Sequence, residues 1–230
     1  MTATPILAVR ALDVKIAGIN ICTALDFTVE TGQCWAILGR NGAGKTTLLA
    51  TLGGLRSASA GVVEIEGRAL SSFTPRELAR LRALLPQDDS DPFPATALET
   101  ALVGRHPHLG RWQWEGAEDL RIARGALAAV LAQEPRLFLL DEPSSHLDLA
   151  HQVAVLDSLA GLVRSEGRAM IMALHDVNLA ARYCDHVLLL DRGMANTGPA
   201  EELLTSERLS ALYGVPLRSL REDGRSIFVI

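Results

Sequence analysis

The sequence predicts an α/β fold: a doubly wound core of parallel strands, an antiparallel β part on its N-terminal side and an inserted helical subdomain. Three observations carry this prediction. Short apolar runs at 34–38, 137–140, 169–174 and 187–190 are separated by helical patterns, as strands buried on both faces of a parallel sheet are. Residues 7–16 and 25–30 instead alternate or are β-branched and end in turn formers, the pattern of half-buried antiparallel strands. After residue 87 the texture changes to Asp88, Asp89, Ser90, Asp91, Pro92 and Pro94, a polar loop that precedes helical patterns at 96–103 and 115–132.

Taken in order, strands at 7–16 and 25–30 are followed by the buried run 34–38, which breaks into a glycine-rich loop and a helix beginning near Lys45. That is the opening of a βα unit. A strand at 62–66 comes next. Thr74, Pro75 and Glu77 then form a capping box with proline at the first helical position, so a short basic helix runs through Arg82, its arginines forming a solvated face. A strand at 84–87 leads into the polar loop and the helical insertion. From residue 137 strands and helices alternate again: strand 137–140, helix 149–164, strand 169–174, helix 177–183 and strand 187–190. The tail carries a small helix near 207–213 and a strand at 227–230. The expected organisation is one domain over 1–230, with 1–86 and 133–230 as the core and its antiparallel part and 87–132 as a shortened helical subdomain.

Composition narrows the function. With 48% hydrophobic residues among 230, the chain has enough apolar material for an ordinary core. Lysine and arginine number 22 against 27 aspartates and glutamates, a net charge of -5 that gives no footprint for a polyanion, so nucleic acid is not expected as a partner. Cys22, Cys34 and Cys184 are odd in number and far apart, which fits neither a disulfide framework nor a cysteine metal site and points to a reducing cytoplasm. Residues 1–7 lack a charged segment followed by an apolar one, and the longest apolar stretches, such as 126–132, are too short to span a bilayer. Any membrane role must come from a partner.

The chemistry begins at Gly39-Arg40-Asn41-Gly42-Ala43-Gly44-Lys45-Thr46, followed by Thr47, which fits GxxxxGK[ST] between a predicted strand and a predicted helix. Glycines let the backbone turn so that successive N–H groups point inward, and the helix N-terminus adds positive potential. Lys45 is expected to reach the β- and γ-phosphates and the Thr46 hydroxyl to ligate Mg²⁺. An ordinary glycine-rich turn needs no lysine followed by a hydroxyl at that place. Further on, the strand 137–140 carries Asp141 and Glu142 to its end, where open α/β sheets bind ligands. This is a Walker B pattern: Asp141 to hold Mg²⁺, Glu142 to polarise the attacking water. An acidic pair at a strand end is also ordinary turn chemistry, and the upstream loop decides between the two. The core is thus that of a P-loop NTPase, RecA-like in type.

The string Asp141-Glu142-Pro143-Ser144-Ser145-His146-Leu147-Asp148 resembles the Walker B motif and D-loop of the ABC ATPases. By the same resemblance Gln87 matches the Q-loop glutamine, which senses Mg²⁺ and the attacking water. His175 matches the switch histidine, placed to bond the γ-phosphate and hold the water and Glu142 in line. Asp148 is implied to belong to the nucleotide site through the D-loop. The resemblance covers about residues 7–198, with the motifs in the family's order.

Two departures stand out. No LSGGQ-like signature lies between Gln87 and Asp141, an interval of 54 residues (141 minus 87). Roughly two dozen residues are missing near Gly125 relative to the family pattern. In such dimers nucleotide is sandwiched between one subunit's P-loop and the other's signature, so the missing clamp separates binding from turnover. Either the chain is a variant that binds ATP and hydrolyses it poorly, or the sequence omits a stretch of a longer, active protein. Intactness of the remaining catalytic set favours omission. The second departure is the absence of an aromatic near Ile16 and Ala17, where many family members stack a tyrosine on adenine. That feature, the segment Gly104-Arg105-His106-Pro107-His108-Leu109-Gly110 and the Ser145-His146-Leu147-Asp148 form of the D-loop resemble the ATPases of iron-siderophore, haem and cobalamin uptake.

His106 and His108 flank a proline without a third ligand, a weak zinc pattern. Residues 88–114, with Phe93, Trp112 and Trp114, are expected either to grip a membrane subunit's coupling helix or simply to pack the helical subdomain. The resemblance implies a homodimer using ATP and Mg²⁺, with two transmembrane permease subunits. It also implies indirect service of a periplasmic or surface substrate-binding protein and a place on the cytoplasmic face of the inner membrane. Two alternatives remain open: a non-transport ABC ATPase of translation or DNA repair, and an ATP-binding regulatory module without catalysis. Paired modules, coiled-coil insertions and basic extensions, which the former usually carry, are not visible.

Overall fold

The computed structural model describes residues 4–85, 135–143, 148–222 and 225–230. The expected helical subdomain at 87–132 lies outside the described residues, and with it the predicted features Gln87, Phe93, His106, His108, Trp112 and Trp114. Strands β1 (Leu7–Ile16) and β2 (Ile19–Val29) form an antiparallel hairpin whose two-residue turn, Ala17 and Gly18, has φ of 48° and 82°. Positive φ at both positions matches the twist of the flanking strands, and the pairing it enforces starts β2 at Ile19, earlier than the expected strand at 25–30. β4 (Ala60–Ile65) adds to β1, and the short β5 (Arg68–Ala69) adds to β4, completing a four-stranded antiparallel sheet.

The larger sheet has six strands in the order β10, β9, β3, β8, β7, β6. These are β3 (Cys34–Gly39), β6 (Arg82–Leu85), β7 (Leu137–Asp141), β8 (Ala169–Ala173), β9 (His186–Asp191) and β10 (Met194–Pro199). All neighbours are parallel except the edge pair β9 and β10. Every residue of β3, β7 and β8 is buried, which is why they read as unbroken apolar runs. Their alternate side chains feed two cores. Trp35, Ile37, Leu139 and Ile171 join the antiparallel sheet and helix α1 (Lys45–Leu52) on one face. Ala36, Leu38, Phe138 and Met172 pack on the other against α3 (Leu149–Glu166), α4 (Val177–Tyr183) and α6 (Ser206–Tyr213).

Local chemistry sets the helix starts. The expected capping box at Thr74 and Glu77 forms and opens α2 (Pro75–Leu81). Asp148, Asp176 and Thr205 cap α3, α4 and α6 through their side chains. A four-residue helix, α5 (Ala200–Leu203), follows β10, and the chain closes with the hairpin β11 (Arg218–Glu222) and β12 (Arg225–Val229). Among the described residues no helix is long and apolar enough to cross a membrane.

Candidate active site

Three parallel strands bring the predicted residues to one level. In the sheet register Ile37 lies beside Ala173, and Ala173 beside Asp141. Two backbone bonds carry the register past the strand ends: Glu142 N–H donates to Ala173 O at 3.0 Å, and Leu174 N–H donates to Ile37 O at 3.1 Å. The loops after β3, β7 and β8 therefore leave the carboxyl edge of the sheet side by side, the place where open α/β sheets bind ligands.

The loop after β3 needs its glycines at specific places. A Cβ on Gly39 would lie 2.6 Å from Leu190 O, so no side chain fits there. Gly44 has φ of 98°, and a Cβ on it would lie 2.6 Å from both Cδ1 and Cγ2 of Ile21. Gly44 is also the N-cap of α1 and supplies no side chain to bond the first-turn amides, unlike the caps of α2, α3, α4 and α6. No acidic residue lies in that first turn. The open N–H groups and the helix dipole leave a positive end suited to an anion.

A cavity of about 390 Å³ opens there. Asn41, Gly42, Gly44, Lys45, Thr46 and Thr47 form one wall, Glu142 and His175 the far side, and Ile16 and Ile21 an apolar flank. Lys45 is only 6% exposed and donates to Gly39 O at 3.0 Å. Burial pushes its ammonium down from the ordinary value, while the charges of Glu142 and Asp141 pull it back up. Asp141 is 3% exposed. Burial pushes its carboxyl up, and the Thr46 hydroxyl counters that, with Glu142 adding to the rise and Lys45 and His175 opposing it. Even so, neither Asp141 oxygen makes a hydrogen bond of ordinary geometry among the described residues. A buried, under-bonded carboxylate is costly unless something else uses its lone pairs.

That orphaned carboxylate beside a hydroxyl fits a divalent cation of the Mg²⁺ kind. Among the described residues no cluster of three or more His, Cys, Asp or Glu side chains is arranged to hold a metal alone. Mg²⁺ suits this, because it commonly takes one or two protein ligands and fills its shell with phosphate oxygens and waters. Thr46 and Asp141 are the residues that would hold it.

Glu142 turns into the cavity at φ of 48°, an uncommon backbone state for a residue with a Cβ. Its Oε1 meets His175 Nε2 directly. The glutamate side chain is 12% exposed and the histidine 46%, so the pair runs from the interior to the cavity mouth. Placing the other expected residues, Gly39 acts through Lys45, and Ala43 packs against the first core rather than lining the cavity. Asp148 is not among the residues that line the cavity; it caps α3, its Oδ1 accepting from the His151 amide at 2.8 Å. Gln87 and residues 144–147 of the D-loop string lie outside the described residues. Ile21 had no signal in the sequence: its role follows only from its position over Gly44.

Comparison with known proteins shows the family. A family model described as "ABC transporter" matches residues 22–145. The hemin import ATP-binding protein HmuV of Nocardia farcinica is 39% identical over 226 residues, covering 87% of this chain and 78% of that protein. HmuV of Myxococcus xanthus is 36% identical over 252 residues, covering 95% and 93%. The cobalamin import ATP-binding protein BtuD of Halobacterium salinarum is 33% identical over 232 residues, covering 90% of this chain and 58% of that protein. The Myxococcus alignment runs over 252 residues and takes in 95% of this chain's 230, about 219, so about 33 of its positions (252 minus 219) have no counterpart here. Among solved structures, an inward-facing ABC transporter described as of metal-chelate type superimposes with a TM-score of 0.72 at 27% identity, covering 98% of this chain and 97% of that one. The fold of cbiO1 from Clostridium perfringens, described as part of the ABC transporter complex cbiONQ, also matches, with a TM-score of 0.67 at 22% identity, covering 90% of this chain and 94% of that one. From the glycine-lined cradle to these relatives the conclusion is the same: the chain belongs to the ABC transporter family and is an ATPase of that family.

Proposed function

We propose that this chain is the energy-coupling subunit of an ABC importer, converting ATP hydrolysis into uptake of a metal chelate such as haem, cobalamin or an iron-siderophore. The observation that carries the reading is the convergence of Lys45, Thr46, Glu142 and His175 on one cavity at the carboxyl edge of the sheet, with Asp141 buried beside Thr46. The chelate class is supported by relatives named for hemin and cobalamin import.

In this reading the open amides of α1 and the Lys45 ammonium bind the terminal phosphates. When bound, Mg²⁺ neutralises charge on the phosphate oxygens, with Thr46 and Asp141 as its protein ligands. Glu142 accepts the proton of the attacking water, and His175, bonded to Glu142, holds that carboxylate in line and faces the γ-phosphate. Gln87 completes the sensor, and Asp148 serves the nucleotide through the D-loop of a head-to-tail homodimer. Two permease subunits receive the closure of that dimer at the cytoplasmic face of the inner membrane, and a substrate-binding protein delivers the chelate from the other side.

A second reading, ATP binding with poor turnover, has one observation in its favour. About 33 positions of the Myxococcus alignment (252 minus 219) have no counterpart here, and no signature-like segment lies between Gln87 and Asp141. Loss of a single stabilising donor from such a clamp lowers rates by about 10²- to 10³-fold, and loss of the whole clamp also weakens ATP-driven dimerisation. The two readings part in one experiment: calorimetric titration with Mg·ATP, followed by steady-state ATPase with and without the cognate permease in lipid. Binding with permease-stimulated turnover is expected. Binding without turnover favours the second reading, and no binding by the folded full-length chain overturns both.

A further inference from the structure

The chain beyond β10 takes no part in the phosphate cradle, yet it holds the element that aims His175 into it. Helix α4 starts two residues after His175, with Asp176 as its cap: Asp176 Oδ1 accepts from the Asn178 amide at 2.7 Å. The helix has seven residues, too few for a stable position of its own, so tertiary contacts must fix it. Asn178 supplies such a contact. Its Nδ2 donates to Phe228 O at 3.1 Å, and the Phe228 N–H donates to its Oδ1 at 2.7 Å. The side-chain amide therefore pairs with β12 as the backbone of a neighbouring strand would, with donor and acceptor both used. Phe228 itself is 5% exposed and shares a core with Leu179 and Tyr183 of α4.

A second strut comes from α6. Tyr213 has a buried hydroxyl that makes no ordinary hydrogen bond among the described residues and that lies under the influence of both the Gly39 backbone and the Asp176 charge. Burial first, then Asp176, pushes the phenol up to about 12, with the Gly39 backbone opposing. A Cβ on the next residue, Gly214, would lie 3.9 Å from Arg40 Nη1 in the cradle loop. The tail thus lies beside the loop that leaves β3 and near the Asp176 carboxylate.

We propose that the C-terminal hairpin is a brace for the catalytic edge, in which Asn178, locked to the Phe228 backbone, is a positioning residue that sets where α4 begins and how His175 faces Glu142. The brace rests on the ATPase reading of the site. A 1 Å displacement of a group that orients the reaction can cost about 10²-fold in rate, whereas phosphate binding by the cradle does not pass through α4.

The test uses the full-length chain with Asn178→Ala and Asn178→Asp. The latter keeps an acceptor for the Phe228 amide but loses the donor, and it stands in if the alanine variant does not fold. The ¹⁵N resonances of the His175 ring, assigned with His175→Ala, are compared with those of Glu142→Gln, alongside Mg·ATP affinity, kcat and KM. We expect the His175 signals of Asn178→Ala to move toward those of Glu142→Gln. We also expect kcat to fall roughly 10- to 100-fold with affinity and KM within about twofold, the aspartate variant lying between. Unchanged His175 signals overturn the brace, as does unchanged turnover, or an equal loss of affinity and kcat, in a parent that hydrolyses ATP. A parent that does not bind Mg·ATP sinks the ATPase reading instead, while the resonance comparison, which needs no nucleotide, still decides whether the hairpin positions His175.

Discussion

Glu142 and His175 stand 33 residues apart in the chain and meet side chain to side chain, because the strands that end just before them, β7 and β8, are hydrogen-bonded neighbours. The contact needs Glu142 to hold a left-handed backbone, with its amide tied to Ala173 O at 3.0 Å. Strain of this kind persists where surrounding structure over-determines it, and here the sheet register does so.

Replacing Glu142 by Gln keeps the size of the side chain and removes its ability to accept a proton. Turnover is expected to fall about 10²- to 10⁴-fold, the usual contribution of a general base. Affinity for Mg·ATP should change little, because the cradle is built from α1 and its preceding loop. Single-turnover hydrolysis and equilibrium binding, measured side by side, check this. Parent-like hydrolysis by the variant removes Glu142 from the role assigned to it.

How far the sequence foretold this site depends on what held each piece in place. Gly39 to Thr47 and Asp141–Glu142 were legible because their chemistry is local: a strand, a turn and a helix start written in consecutive residues. The first half of β2 was missed although Ile19, Ile21 and Thr23 are β-branched and alternate, because its place in the sheet depends on the Ala17-Gly18 turn that folds it back on β1. β10, with Ala195, Asn196, Gly198 and Pro199, likewise exists through pairing with β9 rather than through its own residues. Ile21 over Gly44 and Asn178 on Phe228 are contacts between distant segments, which no spacing rule encodes.

Ile16 lines the cavity where many relatives by resemblance place a tyrosine, and with Ile21 it offers only an apolar flank. Ile16→Tyr adds a π-face for the base. Aromatic stacking on a nucleobase is worth about 1–3 kcal/mol, so affinity for Mg·ATP should rise at least about fivefold. Calorimetry with ATP, ADP and inorganic triphosphate separates base from phosphate: the gain should appear for both nucleotides and vanish for triphosphate. An equal gain for triphosphate places the adenine elsewhere.

Asp148 is a helix cap in this structure. Hydrogen bonding to the His151 backbone holds its carboxyl below the usual range, with His151's side chain also lowering it. Asp148→Ala should lower the Tm by about 2–4 °C, and Asp148→Asn, a good cap in its own right, by much less. Because the folded-state pKa is depressed, this contribution is present above the unfolded value and is lost as pH falls through the folded one. Thermal melts of the three proteins at neutral and acidic pH check the order. Equal melting of the alanine and asparagine variants refutes the cap.

Asp141 has the opposite sign. Its carboxyl is held above the ordinary value of 3.8, chiefly by burial, so the folded protein binds more protons than the unfolded chain over the interval above that value. Stability contributed by this group therefore falls as pH rises from 3.8 and levels off above the folded-state pKa. Asp141→Asn removes the charge and keeps the shape. Without nucleotide it should melt higher than the parent at neutral pH, and the gap should close as pH drops toward about 4. With saturating Mg·ATP the order should reverse, since a bound ligand stabilises in proportion to its affinity and the variant has lost a metal ligand. Melting curves across pH, with and without Mg·ATP, test both halves. A variant that melts lower than the parent without nucleotide at every pH shows that Asp141 is stabilised by partners it lacks here. A variant that gains as much from Mg·ATP as the parent removes Asp141 from the metal site.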